Sequence, residues 1–186
     1  NRTDSRWLPS KGDYLRLDYE QVVGDFNFGK GRVDYKIYRT LYVDALDRKH
    51  ILSGRVAVGH IFGDAPIFET YYAGGIGSVR GFEYRGISPR SAGTDSRIGG
   101  DFLAFVGTEY TFPVIQEVIR GVVFLDSGTV EPDFEINTWR VSAGLGVRWY
   151  IPFFGPVPFS MDFGLPIVKD EQDDTQIFSF SFGWTF

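Results

Sequence analysis

Few side chains in this sequence have both the type and the spacing that catalysis or metal binding needs. The two histidines, His50 and His60, lie ten residues apart on one predicted strand, about 33 Å at strand rise, so they cannot share a metal ion. The absence of cysteine excludes disulfides, thiolate metal ligands and cysteine nucleophiles. No Gly-x-Ser-x-Gly motif occurs, and no Ser, His and Asp stand in a recognisable catalytic context. We therefore expect no enzyme, no catalytic residues, no metal and no cofactor.

Two further patterns have a structural explanation that outweighs the chemical one. Gly75 and Gly77 are spaced like part of a phosphate-binding loop, but no helical pattern follows them. The acidic run at 170–174 could bind calcium loosely, yet a solvated hairpin turn explains it better. Its carboxylates belong to Asp170, Glu171, Asp173 and Asp174.

The composition excludes or disfavours two classes of protein. The 186 residues carry a net charge of −5, which argues against a nucleic-acid partner because phosphates attract basic surfaces. No apolar run approaches the roughly 18–20 residues of a transmembrane helix, and the longest candidate, 149–159, is broken by prolines. The apolar share of 43% is ordinary, whereas the aromatic share of 17% is the unusual figure. The length suits a single domain, 1–186, with a sizeable core.

Large apolar residues alternate with small or polar ones along most of the chain, which predicts strands rather than helices. The clearest case is the C-terminal segment, whose aromatic positions are Phe178, Phe180, Phe182, Trp184 and Phe186. In another segment the apolar face begins at Trp139 and ends at Trp149, as aromatic girdles at two bilayer interfaces require. Turn residues divide the chain into eight predicted strands, at 13–23, 32–43, 50–62, 101–113, 119–128, 138–151, 156–168 and 176–186.

The strand lengths favour an all-β, antiparallel transmembrane β-barrel. Most predicted strands have about 10–13 residues, enough for a tilted strand to cross a bilayer. Most links are short and rich in Gly and Asp, as at 24–31, and one long loop at about 63–100 is expected to be functional or disordered. A soluble sandwich or a lipocalin-like barrel is the alternative, but its interior would have to hold aromatics from nearly every strand. Arg39 shares the apolar face of its strand, so we expect it near a membrane interface or past a β-bulge.

The long loop carries the most specific motif in the chain, PIFETYYAGGIGSVRGFEYRGISPR, from Pro66 to Arg90. This run resembles the signature loop of the BamA-type outer-membrane assembly factors, the bacterial surface antigen family. The matching positions are Pro66, Phe68, Glu69, Tyr72, Ala73, Gly74, Gly75, Val79, Arg80, Gly81, Phe82, Ile87 and Pro89. Further similarities cover the first strand opening (Arg2 to Gly12), the strand end Phe124–Val130, the hairpin at Gly155-Pro156, and a C-terminal signal strand with Phe182, Trp184 and Phe186.

The resemblance implies a sixteen-stranded barrel preceded by periplasmic domains, of which this chain would hold the last eight strands and no periplasmic domain. The eight strands would either close into a small barrel or form half of a larger one, with two copies joined edge to edge as one route. The interior of an eight-stranded barrel is filled by its own side chains, so the long loop would then lie outside it or over its mouth. We favour closure, because a single chain then satisfies both of its own sheet edges.

In the family, the motif arginine reaches acidic residues on the inner wall of the barrel. Strand parity in this chain turns Glu109 and Asp126 inward on neighbouring strands, so we expect Arg80 to pair with both. Phe82 would pack beside the motif, completing a latch formed by Val79, Arg80, Gly81 and Phe82. The glycines that would let the loop turn tightly are Gly74, Gly75, Gly77 and Gly81. The alternative is a solvated Arg80 in a flexible loop.

The resemblance also implies a function and a location. The chain would be an outer-membrane barrel that helps other outer-membrane β-barrel proteins to fold and insert. Its partners would be the lipid bilayer, unfolded outer-membrane proteins as clients, periplasmic domains or lipoproteins outside this chain, and a second copy through strand edges. The alternatives are a secretion pore of the same family and a minimal barrel that keeps the fold without insertase activity.

Overall fold

Among the residues that the structure describes, the fold consists of ten strands and one short 3₁₀ turn. The computed structural model describes residues 1–5, 8–116, 118–150 and 158–183. In chain order the elements are β1 (Gly12–Val22), β2 (Asn27–Val43), β3 (Lys49–Asp64), a 3₁₀ turn (Ile67–Glu69), β4 (Gly81–Phe82), β5 (Phe102–Ile115), β6 (Ile119–Glu131), β7 (Arg140–Tyr150), β8 (Pro158–Val168), β9 (Thr175–Gln176) and β10 (Phe178–Phe182). Eight of the strands form one antiparallel sheet in the order β1-β2-β3-β5-β6-β7-β8-β10, while β4 and β9 pair separately.

The prediction of an all-β sheet of eight antiparallel strands is confirmed, with three boundaries corrected. β6 runs on to Glu131 rather than ending at 128, and the strand predicted at 176–186 is interrupted at Ile177 between β9 and β10. Residues 24–31 were expected to be a link, yet β2 already begins at Asn27. Gly29 and Gly31 resembled turn residues, but they lie in the ladder opposite Gln21 and Tyr19. A Cβ on Gly29 would lie 2.9 Å from the Tyr19 hydroxyl, so this glycine makes room for a cross-strand aromatic instead of a turn.

The eight-stranded sheet is open among the described residues, which corrects our preference for a closed eight-stranded barrel. β1 and β10 are its two end strands, and no ladder joins them. The physical reason lies in the loop at 65–101, here called the motif loop, which packs against one face of the sheet. An eight-stranded barrel has an interior wide enough only for its own side chains, so it could not close around this loop.

The face opposite the motif loop, here called the outer face, is apolar and exposed. Leu17 on β1, Leu145 on β7 and Phe180 on β10 are each more than 60% exposed, and similar residues occupy alternate positions along every long strand. In water such a continuous apolar surface would be a liability, whereas lipid accommodates it. Among the described residues, no helix is long and apolar enough to cross a membrane.

Residues predicted to lie near a membrane interface are found at strand ends. Trp149 is exposed on the outer face at the end of β7, and Trp139 is half-buried directly before the same strand. Arg39 points outward near the end of β2, just before a β-bulge between Thr40 and Tyr42. The link between β5 and β6 lies at the Trp149 end, whereas the motif loop and the segment 169–177 lie at the Trp139 end.

The hydrophobic core lies between the motif loop and the inner face of the sheet. From the loop it contains Val79, Phe82 and Ile87, together with Tyr71 and Ala73. From the sheet it contains Phe28, Ala57, Ile61, Leu103, Phe105 and Val130. All of these side chains are at most 5% exposed. The loop is therefore an ordered part of the core, and its position is set by the wall of the sheet.

Candidate functional site

Four neighbouring strands turn charged side chains toward the motif loop. Inward positions recur every second residue, which places Glu109 on β5, Asp126 on β6, Arg148 on β7 and Asp162 on β8 on the same face of the sheet. All four are at most 5% exposed. Together with Arg80 they form what we call the buried ion cluster. Buried charges persist in proteins only when paired, so the loop arginine and the wall must be considered together.

Arg80 reaches two carboxylates on the inner wall. Its Nε and Nη2 donate to the two oxygens of Asp126 at 2.7 and 3.0 Å, a bidentate pair, and its backbone N–H donates to the same carboxylate at 3.2 Å. Its Nη1 donates to Glu109 Oε2 at 2.6 Å. These are charge-assisted bonds inside a dry site, where they are stronger than on a surface. The structure thus brings Arg80, which the resemblance singled out, together with Glu109 and Asp126, which strand parity turned inward.

Two further contacts hold the rest of Arg80. The guanidinium carbon lies 3.6 Å from the centre of the Phe124 ring, close enough for a cation–π interaction. The Ser142 hydroxyl donates to the Arg80 carbonyl oxygen. The side chain, amide and carbonyl of Arg80 are therefore all bound by the wall, which fixes the loop backbone as well as the charge.

Sequence reasoning missed the second half of the buried ion cluster. Arg148 Nη1 donates to Asp162 Oδ1 at 2.8 Å, and its Nη2 donates to Glu109 Oε2 at 3.0 Å. Asp162 also lies 3.7 Å from Arg80 Nη1. The signal was present in the sequence, because Arg148 and Asp162 have the inward parity of their strands. Two arginines thus share three carboxylates, an excess of one formal negative charge, and removing either arginine would increase that excess.

Glycines on the loop and the wall allow this close packing. A Cβ on Gly146 would lie 2.1 Å from Asp162 Oδ1, so the carboxylate occupies the space that a side chain would fill. Gly81 has φ +91°, and a Cβ on its neighbour Gly164 would lie 2.6 Å from the Gly81 amide nitrogen. The other predicted loop glycines, Gly74, Gly75 and Gly77, also have positive φ. Such backbone conformations favour glycine because it has no Cβ.

The tip of the loop is anchored to the wall at a second place. Arg55 on β3 donates from Nη1 to the Gly77 carbonyl at 2.7 Å, and its Nε donates to Asp34 on β2 at 3.0 Å. The Arg55 and Asp34 side chains are each only 10% exposed. This anchor was not predicted, since no motif marks it. It shows that the motif loop is held at two separate places along the inner face of the sheet.

A segment near the C-terminal end of the described chain binds the motif loop. We call Asp173–Gln176 the strap. Its β9 pairs with β4, and the Glu83 amide donates to the Asp174 carbonyl at 2.9 Å. The Asp174 carboxylate accepts from Arg90 at 2.5 Å and from Arg97 Nε at 2.9 Å. The hydrogen bond from Arg97 lowers the pKa of the Asp174 carboxyl below its ordinary value.

The acidic run 170–174 is therefore not simply a solvated turn. Asp173 is 9% exposed, and its carboxylate accepts from Arg140 Nε at 3.0 Å and from Arg140 Nη2 at 3.2 Å. The interpretation as a solvated hairpin turn is wrong for Asp173, because an arginine of the wall comes within reach of this carboxylate in the folded chain. Asp174 stays partly exposed but pairs with two arginines of the motif loop. In the described part of the chain, no group of three or more His, Asp or Glu side chains is placed to hold a metal ion.

The predicted C-terminal signal strand is only partly described. Phe182 lies on β10 and is 56% exposed on the outer face. Trp184, Phe186 and the hairpin at Gly155-Pro156 lie outside the described residues. The described part of the strand has the expected alternation, since Phe178 and Phe180 are also exposed while Ser179 and Ser181 are half-buried.

An antiparallel sheet of long strands with an apolar outer face and an inward loop held by buried charges defines the wall of an outer-membrane β-barrel protein. The family model of the Omp85 superfamily domain matches residues 1–186, and the chain belongs to this family.

The relatives and a solved structure agree with this assignment. The chain is 35% identical over 198 residues to the outer membrane protein assembly factor BamA of Nitratidesulfovibrio vulgaris, covering 99% of this chain and 24% of that protein. It is 30% identical over 173 residues to BamA of Neisseria meningitidis serogroup B, covering 73% and 21%. The crystal structure of BamA from Haemophilus ducreyi lacking POTRA domains 1–3 is similar with a TM-score of 0.84 at 21% identity, over 97% of this chain and 40% of that one. This last likeness concerns the fold, and the chain spans about a quarter of the length of the curated relatives.

Proposed function

We propose that this chain forms the wall and the inward loop of an outer-membrane protein assembly factor, which helps other β-barrel proteins to fold and insert. Membership of the Omp85 superfamily and the names of the relatives support this role. The lipid bilayer would surround the outer face of the sheet, and unfolded outer-membrane proteins would be the clients. The role is non-enzymatic, since it relies on strand pairing and positioning rather than on making or breaking bonds.

The observation that carries the proposal is the buried ion cluster, which binds the motif loop to the inner wall. Arg80 is 4% exposed and Asp126 is fully buried, so their pairing is shielded from water. Breaking a buried pair leaves an uncompensated charge, which makes loop release costly. We infer that the latch formed by Val79–Phe82 keeps the loop folded inward while the strands at the sheet edge exchange partners.

The sheet edge supplies the surface on which a client strand would pair. Among the described residues, β10 has a ladder with β8 on one side only. Unpaired backbone groups are unfavourable in lipid, so this edge favours pairing with an extended segment, which is β-augmentation. Periplasmic domains or lipoproteins would deliver the client, and a second copy of the chain could occupy the same edge.

The secretion pore is less well supported by the loop geometry. An unfolded chain passing along the inner face would have to displace the motif loop, breaking the contacts of Arg80 and also that of Arg55 with the Gly77 carbonyl. A minimal barrel without insertase activity needs no such fixed loop. Reconstitution into liposomes distinguishes both alternatives from the proposed role.

Reconstitution into liposomes tests the proposal. The protein is expected to accelerate insertion of a client β-barrel, measured by the rate at which the client acquires heat-modifiable gel mobility. Arg80→Ala should slow this insertion, because the loop is no longer bound to the wall. The matched control is Arg16→Ala, which removes an exposed arginine of β1 that forms a surface salt bridge with Asp18 on the same strand.

Three results would contradict the proposal. Ion conductance or polypeptide passage without client insertion would indicate a pore, and a folded protein with neither activity would indicate a passive barrel. Equal insertion rates for wild type and a folded Arg80→Ala variant would show that the latch has no part in assembly.

A further inference from the structure

β8 and β10 form a hairpin that is hydrogen-bonded over only part of the length of β8. β8 extends from Pro158 to Val168, but β10 pairs with it only from Phe159 to Phe163. One more bond follows, from the Gly164 N–H to the Ile177 carbonyl at 2.8 Å. The chain then bends at Ile177, and the two residues before it form β9, which pairs with β4 of the motif loop.

The register of the hairpin identifies what stops it. Continuing the same ladder would place Thr175 opposite Pro166. In an antiparallel ladder, alternate residues turn their N–H and C=O toward the same neighbour. Since Gly164 turns its N–H toward the β10 side, the next residue to do so is Pro166. Proline has no N–H, so the Thr175–Pro166 pair would lose one of its two hydrogen bonds.

The other edge of β8 explains why a proline is tolerated here. On that side Pro166 lies opposite Ser142 of β7, and the missing donor faces away from this ladder. A second proline, Pro158, occupies the same edge at the opposite end of the hairpin, where its carbonyl accepts from the Gly183 N–H at 3.0 Å. Pro158 and Pro166 thus bracket the ladder between β8 and β10.

The motif loop reaches the wall at the point where the ladder stops. A Cβ on Gly81 would lie 3.1 Å from the Gly164 carbonyl and 3.4 Å from Pro166 Cδ. The pairing of β4 with β9 therefore begins beside the residue that cannot extend the hairpin. Leaving the ladder here sacrifices little hydrogen bonding on the wall, while the strap gains the bonds to Glu83 and Gly86.

We propose that Pro166 is a positioning residue that ends the β8–β10 ladder and so releases the strap to bind the motif loop. A residue with an N–H at this position would extend the hairpin, drawing Thr175 back to the edge of the wall and away from Phe82. The inference rests on the proposed function, because the strap contact would matter for client insertion only if the latch at Val79–Phe82 does. The contact between the strap and the motif loop is measured independently of client insertion.

The test is Pro166→Val, with hydrogen–deuterium exchange measured by mass spectrometry on the protein in lipid nanodiscs. The Glu83 amide, which donates to the Asp174 carbonyl, should exchange about five- to tenfold faster, the size of one net backbone hydrogen bond. The amide that the substitution adds at residue 166 should itself exchange slowly, because it is hydrogen-bonded in the extended ladder opposite Thr175. Heat-modifiable gel mobility reports that the variant is folded.

Pro158→Val is the matched control, since it adds an N–H on the same edge of the same strand but at the end away from the loop. It should leave exchange at Glu83 unchanged. Unchanged exchange at Glu83 in a folded Pro166→Val variant would overturn the inference, as would equal acceleration in both variants. Accelerated exchange limited to Pro166→Val, with an unaltered rate of client insertion, would support the inference and count against the proposed function of the latch.

Discussion

At the residue scale, Arg80 is the central residue of the buried ion cluster, because all three buried carboxylates lie within 4 Å of its side chain. It contacts Asp126 through three nitrogens and Glu109 through a fourth, while Arg148 holds the remaining carboxylate. Each carboxylate of the buried ion cluster depends on at least one arginine for its compensation. Substitutions of these residues are therefore expected to act through stranded charge rather than through lost volume.

Arg80→Ala should lower the free energy of unfolding by about 3–5 kcal/mol, because it leaves three buried carboxylates with one arginine. Urea denaturation followed by heat-modifiable gel mobility measures this change. Arg16→Ala, at an exposed surface salt bridge, should leave the free energy of unfolding nearly unchanged. Equal effects of the two substitutions would show that Arg80 is solvated rather than latched.

Gly146→Ala tests the packing behind the second half of the cluster. The new Cβ would lie 2.1 Å from Asp162 Oδ1, so the carboxylate must move away from Arg148. Leaving a buried charge poorly bonded costs about 1–3 kcal/mol, measurable in the same unfolding assay. The control is Gly54→Ala, whose Cβ would meet only an Ile37 methyl at 3.3 Å. A loss no larger than that of the control would contradict the tight fit at Gly146.

At the element scale, the motif loop is held by three others: the wall strands β5–β8, the anchor on β3, and the strap. The strap is the most exposed of these, since the Asp174 side chain is 36% exposed and its partners Arg90 and Arg97 lie near the surface. The wall contacts are buried, whereas the strap contacts are partly exposed to solvent. The strap is accordingly the part of the site that should respond to pH and salt.

The strap should loosen in acid. Hydrogen bonding from Arg97 lowers the pKa of Asp174 in the folded state below its ordinary value of 3.8. The stabilisation is therefore complete above that ordinary value and is lost as the pH falls through the lower, folded pKa. A nitroxide attached at Glu171→Cys should become more mobile over this range, measured by electron paramagnetic resonance.

Asp174→Asn provides the comparison for the acid response. In this variant the spin label should be mobile at neutral pH, and acid should change it little. An acid response of the same size in wild type and Asp174→Asn would assign the titration to another group. The native chain has no cysteine, so the label attaches at the introduced position only.

At the scale of the whole molecule, the sheet is a two-faced wall. One face carries apolar side chains outward for lipid, and the other carries the motif loop and the buried charges. Its shape is open among the described residues, which leaves room for the loop on the inner side. The position of a side chain on one face or the other decides whether a charge is stabilising or costly.

Leu145→Arg should be strongly destabilising, because it places an arginine on the lipid face in the middle of β7. We expect a loss of about 2–4 kcal/mol in folding free energy in lipid vesicles. Leu46→Arg, in the exposed turn between β2 and β3, should cost less than about 1 kcal/mol. An effect of Leu145→Arg as small as that of the turn substitution would contradict a lipid-facing outer surface.

Local patterns in the sequence determined the strands, their two faces and the inward direction of Glu109 and Asp126. Alternation with period two is a property of a few consecutive residues, so it survives without knowledge of the fold. The same parity marked Arg148 and Asp162, although their meeting with Glu109 requires knowing which strands are neighbours. The motif itself identified Arg80 as the residue that the wall would bind.

Only the tertiary structure decided how distant segments meet. Asp174 of the strap lies 77 residues along the chain from Arg97, and no local sequence pattern predicts that the two side chains pair. The open form of the sheet was likewise beyond local patterns, because it depends on how much space the folded loop occupies. Pairing between remote segments depends on the combined packing of the whole chain, whereas the face on which a side chain lies is set by its immediate neighbours.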